Sequence, residues 1–183
     1  MTSKVETVVS GDTEDTYIHA AAFPVNYAQF YVLDRNLHRT VHPEPKAPGE
    51  SHAGILRTVR GGAFLVTGLN NGVTDLTVSV HAREPEPLLT EYEDVVEVSL
   101  QVDTETVHVS AWEGHGRFIA LPPMPAGAGW YRLRYHARNM DQAFDLHSAA
   151  PIDAFHLQMW GEPQSDPEVL QIASNHARNW LSV

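Results

Sequence analysis

The chain reads as an all-β fold, an antiparallel β-sandwich of jelly-roll type with one α-helix packed on it near the C-terminal end. Three observations predict this. Apolar and polar residues alternate with a period of two in segment after segment, the signature of half-buried strands. Proline- and glycine-rich turns separate those segments at short intervals, as in sandwiches and jelly rolls. Helical spacing of apolar residues occurs once, over the last eighteen or so positions.

In chain order, residues 1–16 are polar and are expected to form a flexible leader, followed by a single domain over 17–183. Alternation over Tyr17–Asp34 is interrupted at Pro24, which suggests two strands around a proline turn. Residues Leu37–His52 hold prolines, glycine and no periodicity, so a long loop is expected. The segment Ala63–Leu69, the turn signal Asn70-Asn71-Gly72 and the alternating stretch Val73–Ala82 predict a hairpin. Further strands are predicted at Asp94–Val102, with Glu97, Ser99 and Gln101 outward, at Val107–Trp112, and at Phe118–Leu121, whose inward face is ambiguous. Trp130–Arg138 and Asp153–Trp160 complete a set of about eight or nine strands. Asp166 as N-cap, Pro167 at the first helical position and Glu168 in the first turn start a helix predicted over 166–182. Val169, Ile172, Ala173, His176, Ala177 and Trp180 would form its apolar stripe.

Composition excludes several function classes. With no cysteine among 183 residues there is no disulfide scaffold, thiolate metal site or thiol nucleophile. Twelve Lys+Arg against 23 Asp+Glu give a formal charge of -11, which repels a phosphate backbone and disfavours direct nucleic-acid binding. No run approaches the roughly 20 apolar residues of a membrane-spanning helix, and a cytoplasmic protein with no membrane partner is expected. Glycine-rich pieces lack the lysine and the strand–helix setting of a phosphate loop, and no Gly-x-Ser-x-Gly elbow occurs. No catalytic residue, cofactor or metal site is assigned, and an enzymatic role is disfavoured. Eleven histidines include no His-x-His pair; His38 and His42 share a loop-like setting, and convergence of His108, His136 and His156 is the remaining route to a metal. Trp112, Trp130 and Trp160 could form a sugar-stacking platform, although strand-end tryptophans more often pack at the core edge.

Charge is unevenly placed. Eight acids and no Lys or Arg lie between Glu84 and Glu105. Of this band, Glu91, Glu93, Asp94, Glu97, Asp103 and Glu105 are the candidate docking face for a basic partner, with Trp112 as an apolar anchor at its edge. A solvated face that serves solubility is the plainer reading. Conversely, Arg132, Arg134, His136 and Arg138 alternate with Tyr131, Leu133, Tyr135 and Ala137, so a strand would present a cationic row opposite a core face. Cross-strand pairing with Glu97, Asp103 or neighbouring acids is the favoured reading of that row. An anion site or a homodimer interface is the other.

Several segments resemble competence protein J, the inhibitor of a DNA-entry nuclease. Val25-Asn26-Tyr27-Ala28-Gln29-Phe30-Tyr31-Val32 is similar to that family's Y-x-Q-F-x-V strand. The Tyr92-Glu93 entry into Val95–Val102, the strand Val107–Trp112, Phe118-Ile119-Ala120-Leu121-Pro122 and Gly129-Trp130-Tyr131-Arg132-Leu133 follow in the family's order. The resemblance spans Tyr17–Arg138, leaves Leu37–Ala63 unmatched, and does not extend to the last strand and helix. It implies a non-enzymatic β-protein that binds and blocks another protein, and with the acidic band it points to an inhibitor or immunity-type protein docking onto a basic enzyme such as a nuclease. The alternatives are a ligand- or metal-binding jelly roll using strand His and Arg residues, and a structural or oligomerising module.

Overall fold

The computed structural model describes residues 5–9 (backbone), 15–35, 50–112 and 118–182. It is mostly β: β1 (Val5–Val9), β2 (Thr16–Asn26), β3 (Gln29–Asp34), β4 (Ser51–His52), β5 (Leu56–Val59), β6 (Gly62–Val66), β7 (Asn71–His81), β8 (Asp94–Val102), β9 (Val107–Ala111), β10 (Phe118–Ala120) and β11 (Gly129–Arg138) come first. The short helix α1 (Met140–Ala143), β12 (His147–Ser148), β13 (Ala154–Gly161), β14 (Glu168–Ile172) and α2 (Asn175–Leu181) follow. No described helix is long and apolar enough to cross a membrane.

Hydrogen bonds join all of the strands into one sheet, in the order β14-β8-β11-β13-β7-β2-β3-β6-β5-β4, with β1, β9, β10 and β12 paired to strands along that path. The sheet curls until β5 returns beside β8, where Gly61 N donates to Gln101 O at 2.7 Å and Thr58 Oγ1 to Ser99 O at 2.8 Å. A sandwich of two separate sheets is therefore not what these hydrogen bonds draw. Nor is pairing wholly antiparallel, since β13 and β12 both run parallel to β7.

Register shows why the curl holds. Val96, Tyr135, Leu157, Val78 and Ile18 lie opposite one another across β8, β11, β13, β7 and β2, and all are buried. Tyr135 and Phe155 stack at 5.3 Å, Phe30 meets each of them edge-on, and the Tyr135 hydroxyl donates to Val66 O across the core. Apolar burial of this kind contributes about 25 cal/mol per Å² and is what closes the sheet.

Five local expectations need correction. Within the expected flexible leader, Val5–Val9 pairs antiparallel with Thr16–Ala20. β2 runs straight through Pro24, and the turn lies at Tyr27 and Ala28, both at positive φ, as a two-residue hairpin of right-twisted strands requires. Ala63–Leu69 and Val73–Ala82 form no hairpin: β6 pairs with β3 and β5, and β7 with β2 and β13. The cause is Asp153, whose carboxylate accepts from Gly68 N, Leu69 N and Thr74 Oγ1 and pins the connection. Gly68 passes so close to Met140 that a Cβ there would fall 2.2 Å from its carbonyl oxygen. The helix predicted over 166–182 is a strand followed by a short helix. Glu168–Ile172 takes the open edge of β8, the Asp94 carboxylate accepts from Ala173 N and Ser174 N, and Ser174 is the true N-cap, accepting from Ala177 N. Finally, the outer side of β8 is not solvated, because Glu97 and Ser99 are buried. Ile119 and Leu121 prove to be the inward residues of the Phe118–Leu121 strand.

Candidate functional site

Directly opposed residues on the outer side of the curl form three polar rows. Glu97, Arg134, Gln158, Ser79 and Tyr17 make the first; His136, His156, Thr77 and His19 the second; Ser99, Arg132, Trp160 and His81 the third. Strand alternation places them on this face, and the segments 82–93 and 162–168 then cover much of it.

Glu97 is the hub at one end. Its carboxylate takes Arg132 Nε on Oε2 at 2.8 Å and Arg134 Nε on Oε1 at 2.5 Å, with all three side chains buried. Arg134 also donates to Pro85 O, Gln158 Oε1 and Glu84 Oε1, and its guanidinium lies 4.7 Å from the Trp160 ring centroid. Arg132 donates to Ser165 Oγ and Asp166 O. Charge-assisted bonds this numerous offset the desolvation of three ions.

The other end is a chain of imidazoles. Leu88 N donates to His136 Nε2, so that nitrogen carries no proton, and His136 Nδ1 donates to His156 O. Burial pushes His136 down to about 4 and, with the nearby imidazoles of His136 and His81, pushes His156 down to about 3. Both are neutral at pH 7. Ser79 Oγ lies 2.8 Å from His156 Nε2 and 2.7 Å from His81 Nε2, and His81 Nδ1 lies 3.0 Å from Asp15 Oδ2. Asp15–His81–Ser79 thus shares the connectivity of an acyl-transfer triad. Ser79 is fully buried and bonded on two sides, which leaves a substrate carbonyl no approach.

Beside Glu97 and Arg132 the outer face opens into a cavity of about 450 Å³. Glu84, Glu162, Asp166 and Glu168 line it with the buried pair. Glu84, Asp166 and Glu168 are exposed, while Glu162 is half-buried and accepts from Trp160 Nε1. Five carboxylates therefore line the cavity against the one guanidinium of Arg132, which Glu97 and Glu168 approach, and the cup is acidic. Alongside it β14 hydrogen-bonds, among the described residues, to β8 alone, and Val169 is 45% exposed.

Of the acids expected to dock a partner, Glu91, Asp103 and Glu105 are exposed, and Asp103 holds Arg60 in a forked pair. The other three have internal duties. Glu93 accepts from Asn139 N, Asp94 ends β14, and Glu97 holds two arginines. Trp112 is half-buried against Tyr27 and Tyr31, away from this cup. In the arginine row, Arg132, Arg134 and His136 are buried inside the chain, and only Arg138 is exposed, stacked on Tyr92 at 5.5 Å. The row is unavailable to a free anion or a second copy. His136 and His156 come within 5.7 Å, whereas His108 sits against Phe118 on another strand pair. No group of three or more metal-ligating side chains occurs among the described residues. His38, His42 and most of the loop over 37–52 lie outside those residues. Trp160 is buried and Trp130 half-buried, so the three tryptophans form no shared platform. Sequence reasoning misses the cup because it places Asp166 and Glu168 in a helix and Glu162 in no element, and misses His81 and Asp15 because only register brings them to Ser79.

No family model matches the chain, and the comparison with curated proteins gave no match. The fold resembles that of a protein described as "Crocagin biosynthetic gene J". The two share a TM-score of 0.54 and 11% identity, over 81% of this chain and 98% of the other. At that identity the likeness is one of fold.

Proposed function

We propose that this chain is a non-enzymatic binding protein that seats a basic, extended segment of a partner protein in the acidic cup and along the free edge of β14. The cup carries the reading: five carboxylates line it against one guanidinium, and with Arg132 and Arg134 paired by Glu97, Glu84 and Glu168 the cup keeps a net negative charge. A Lys or Arg side chain entering it would meet Glu162, Asp166 and Glu168, while its backbone adds a strand beside Val169. The overall charge of -11 speeds encounter with such a partner. A basic enzyme in the cytoplasm, a nuclease among them as the competence protein J resemblance implies, meets that description. The acidic docking chemistry read from the sequence is kept, and its place moves from Glu91–Glu105 to Glu84 and Glu162–Glu168.

The test is calorimetric titration with a blocked peptide alternating arginine and valine and with its glutamate counterpart. The basic peptide should bind, and Asp166→Lys with Glu168→Lys should weaken it about tenfold or more, as loss of close opposite charges does. Equal binding by the double variant would contradict the reading.

A further inference from the structure

The outer face of β3, β6 and β5 carries a third buried cation, whose surroundings are incomplete. Register aligns Tyr31, Phe64 and Arg57 across these strands. α2 lies over them: the Trp180 ring is 6.2 Å from the Phe64 ring and 5.4 Å from the Arg57 guanidinium carbon, and Leu181 rests on Gly54. Arg57 is 2% exposed. Its Nη1 donates to Glu50 Oε1 at 3.3 Å. Its Nε and Nη2 are buried and have no hydrogen-bond partner among the described residues, and the same is true of the Tyr31 hydroxyl.

Those two nitrogens form one edge of the guanidinium. Their N–H bonds point the same way at a spacing that matches two oxygens of a planar oxyanion, the bidentate geometry for which arginine is suited above lysine. Leaving such donors dry and unpaired is costly, and native interiors rarely do so. Glu50 approaches from Nη1 and leaves this edge unpaired. The Trp180 face above the guanidinium supplies an apolar wall for whatever carries the oxyanion.

We propose that the Nε/Nη2 edge of Arg57, beneath Trp180, is a binding site for the carboxylate or phosphate of a small acidic ligand, with the Tyr31 hydroxyl as a further donor on the same face. α2 is its cover: this seven-residue helix at the end of the described chain sits on the site through Trp180 and Leu181. The site is separate from the acidic cup and does not depend on it.

The decisive experiment follows the Arg57 side-chain Nε–H resonance in protein labelled with ¹⁵N-arginine, at fixed ionic strength held with chloride. Trp180→Leu identifies the signal, because it removes the ring current above it. Acetate and inorganic phosphate are titrated separately to 100 mM. A saturable shift of this one arginine, with saturable protection of the Trp180 indole from a fluorescence quencher, is expected, and whichever anion produces it at lower concentration names the ligand class. Tyr31→Phe should weaken the response several-fold, and Arg57→Lys should abolish the fluorescence change. If Arg57→Lys does not fold, the titration of the unaltered protein decides alone. Absence of a saturable shift with both anions, or a shift shared equally by all the arginines, would overturn the proposal.

Discussion

Of the three buried arginines, two lie beneath a tryptophan on the outer side of the curled sheet, and their surroundings differ sharply. Arg134 spends its donors on Glu97, Pro85, Gln158 and Glu84 under Trp160. Arg57 donates, among the described residues, to Glu50 alone, and keeps two buried nitrogens unpaired under Trp180. A saturated buried ion holds structure together; an unsaturated one stores a cost that a ligand can remove. The first therefore organises the wall beside the acidic cup, and the second is the receptive group of the pair.

The largest way to break this contrast is at Glu97. Glu97→Ala leaves two buried guanidiniums without their shared carboxylate and should cost about 3–5 kcal/mol of unfolding free energy by urea denaturation. Arg134→Met should fall in the same range, whereas Arg57→Met should cost clearly less, because the loss of its buried pair with Glu50 is offset by the retained aliphatic stem and the removal of two unpaired donors. Equal losses at the two arginines would erase the distinction.

Acid offers a graded version of the same test at the imidazole end of the polar rows. His136 and His156 are held well below the ordinary histidine value, to about 4 and about 3, so the unfolded chain takes up protons first as pH falls. The stability they contribute is present above about pH 6.5 and is lost as the pH falls toward their native values. Between pH 6 and pH 5 the two together should remove about 2–3 kcal/mol, and His156→Gln should halve that slope. A flat profile over this interval would mean that the cluster is already protonated or open. The smallest effect is expected at the α2 cap, where Ser174→Ala should cost about 1 kcal/mol and raise amide exchange across 175–181, loosening the cover of Arg57 without touching the Arg134 end.

Much of the strand content was legible because alternation needs only neighbours in sequence. Tyr131, Leu133 and Tyr135 face the core as their spacing requires, and the paired identities of Glu97, Arg132 and Arg134 follow from opposite charge on adjacent strands. What alternation does not report is whether the second face meets water. Here Pro85, Leu88 and Ser165 hydrogen-bond over that face, so residues patterned as surface became interior. Non-local captures were equally silent. Asp153 holds Gly68, Leu69 and Thr74 from some eighty residues away, and this replaces the expected hairpin with a parallel β7–β13 pairing. Asp166-Pro167-Glu168 satisfies every local rule for a helix start, yet the open edge of β8 and the Asp94 carboxylate make a strand there instead. The cup was invisible for that reason: its acids were legible as charge, and their convergence depended on β14.

Amide hydrogen exchange of β14 in the presence of the basic alternating peptide tests the central claim most directly. Added protection concentrated at Val169–Gln171, falling as salt rises and absent with the acidic peptide, is the expected result. Unchanged exchange at these amides under saturating basic peptide would contradict the assignment of the cup and its edge strand as the docking site.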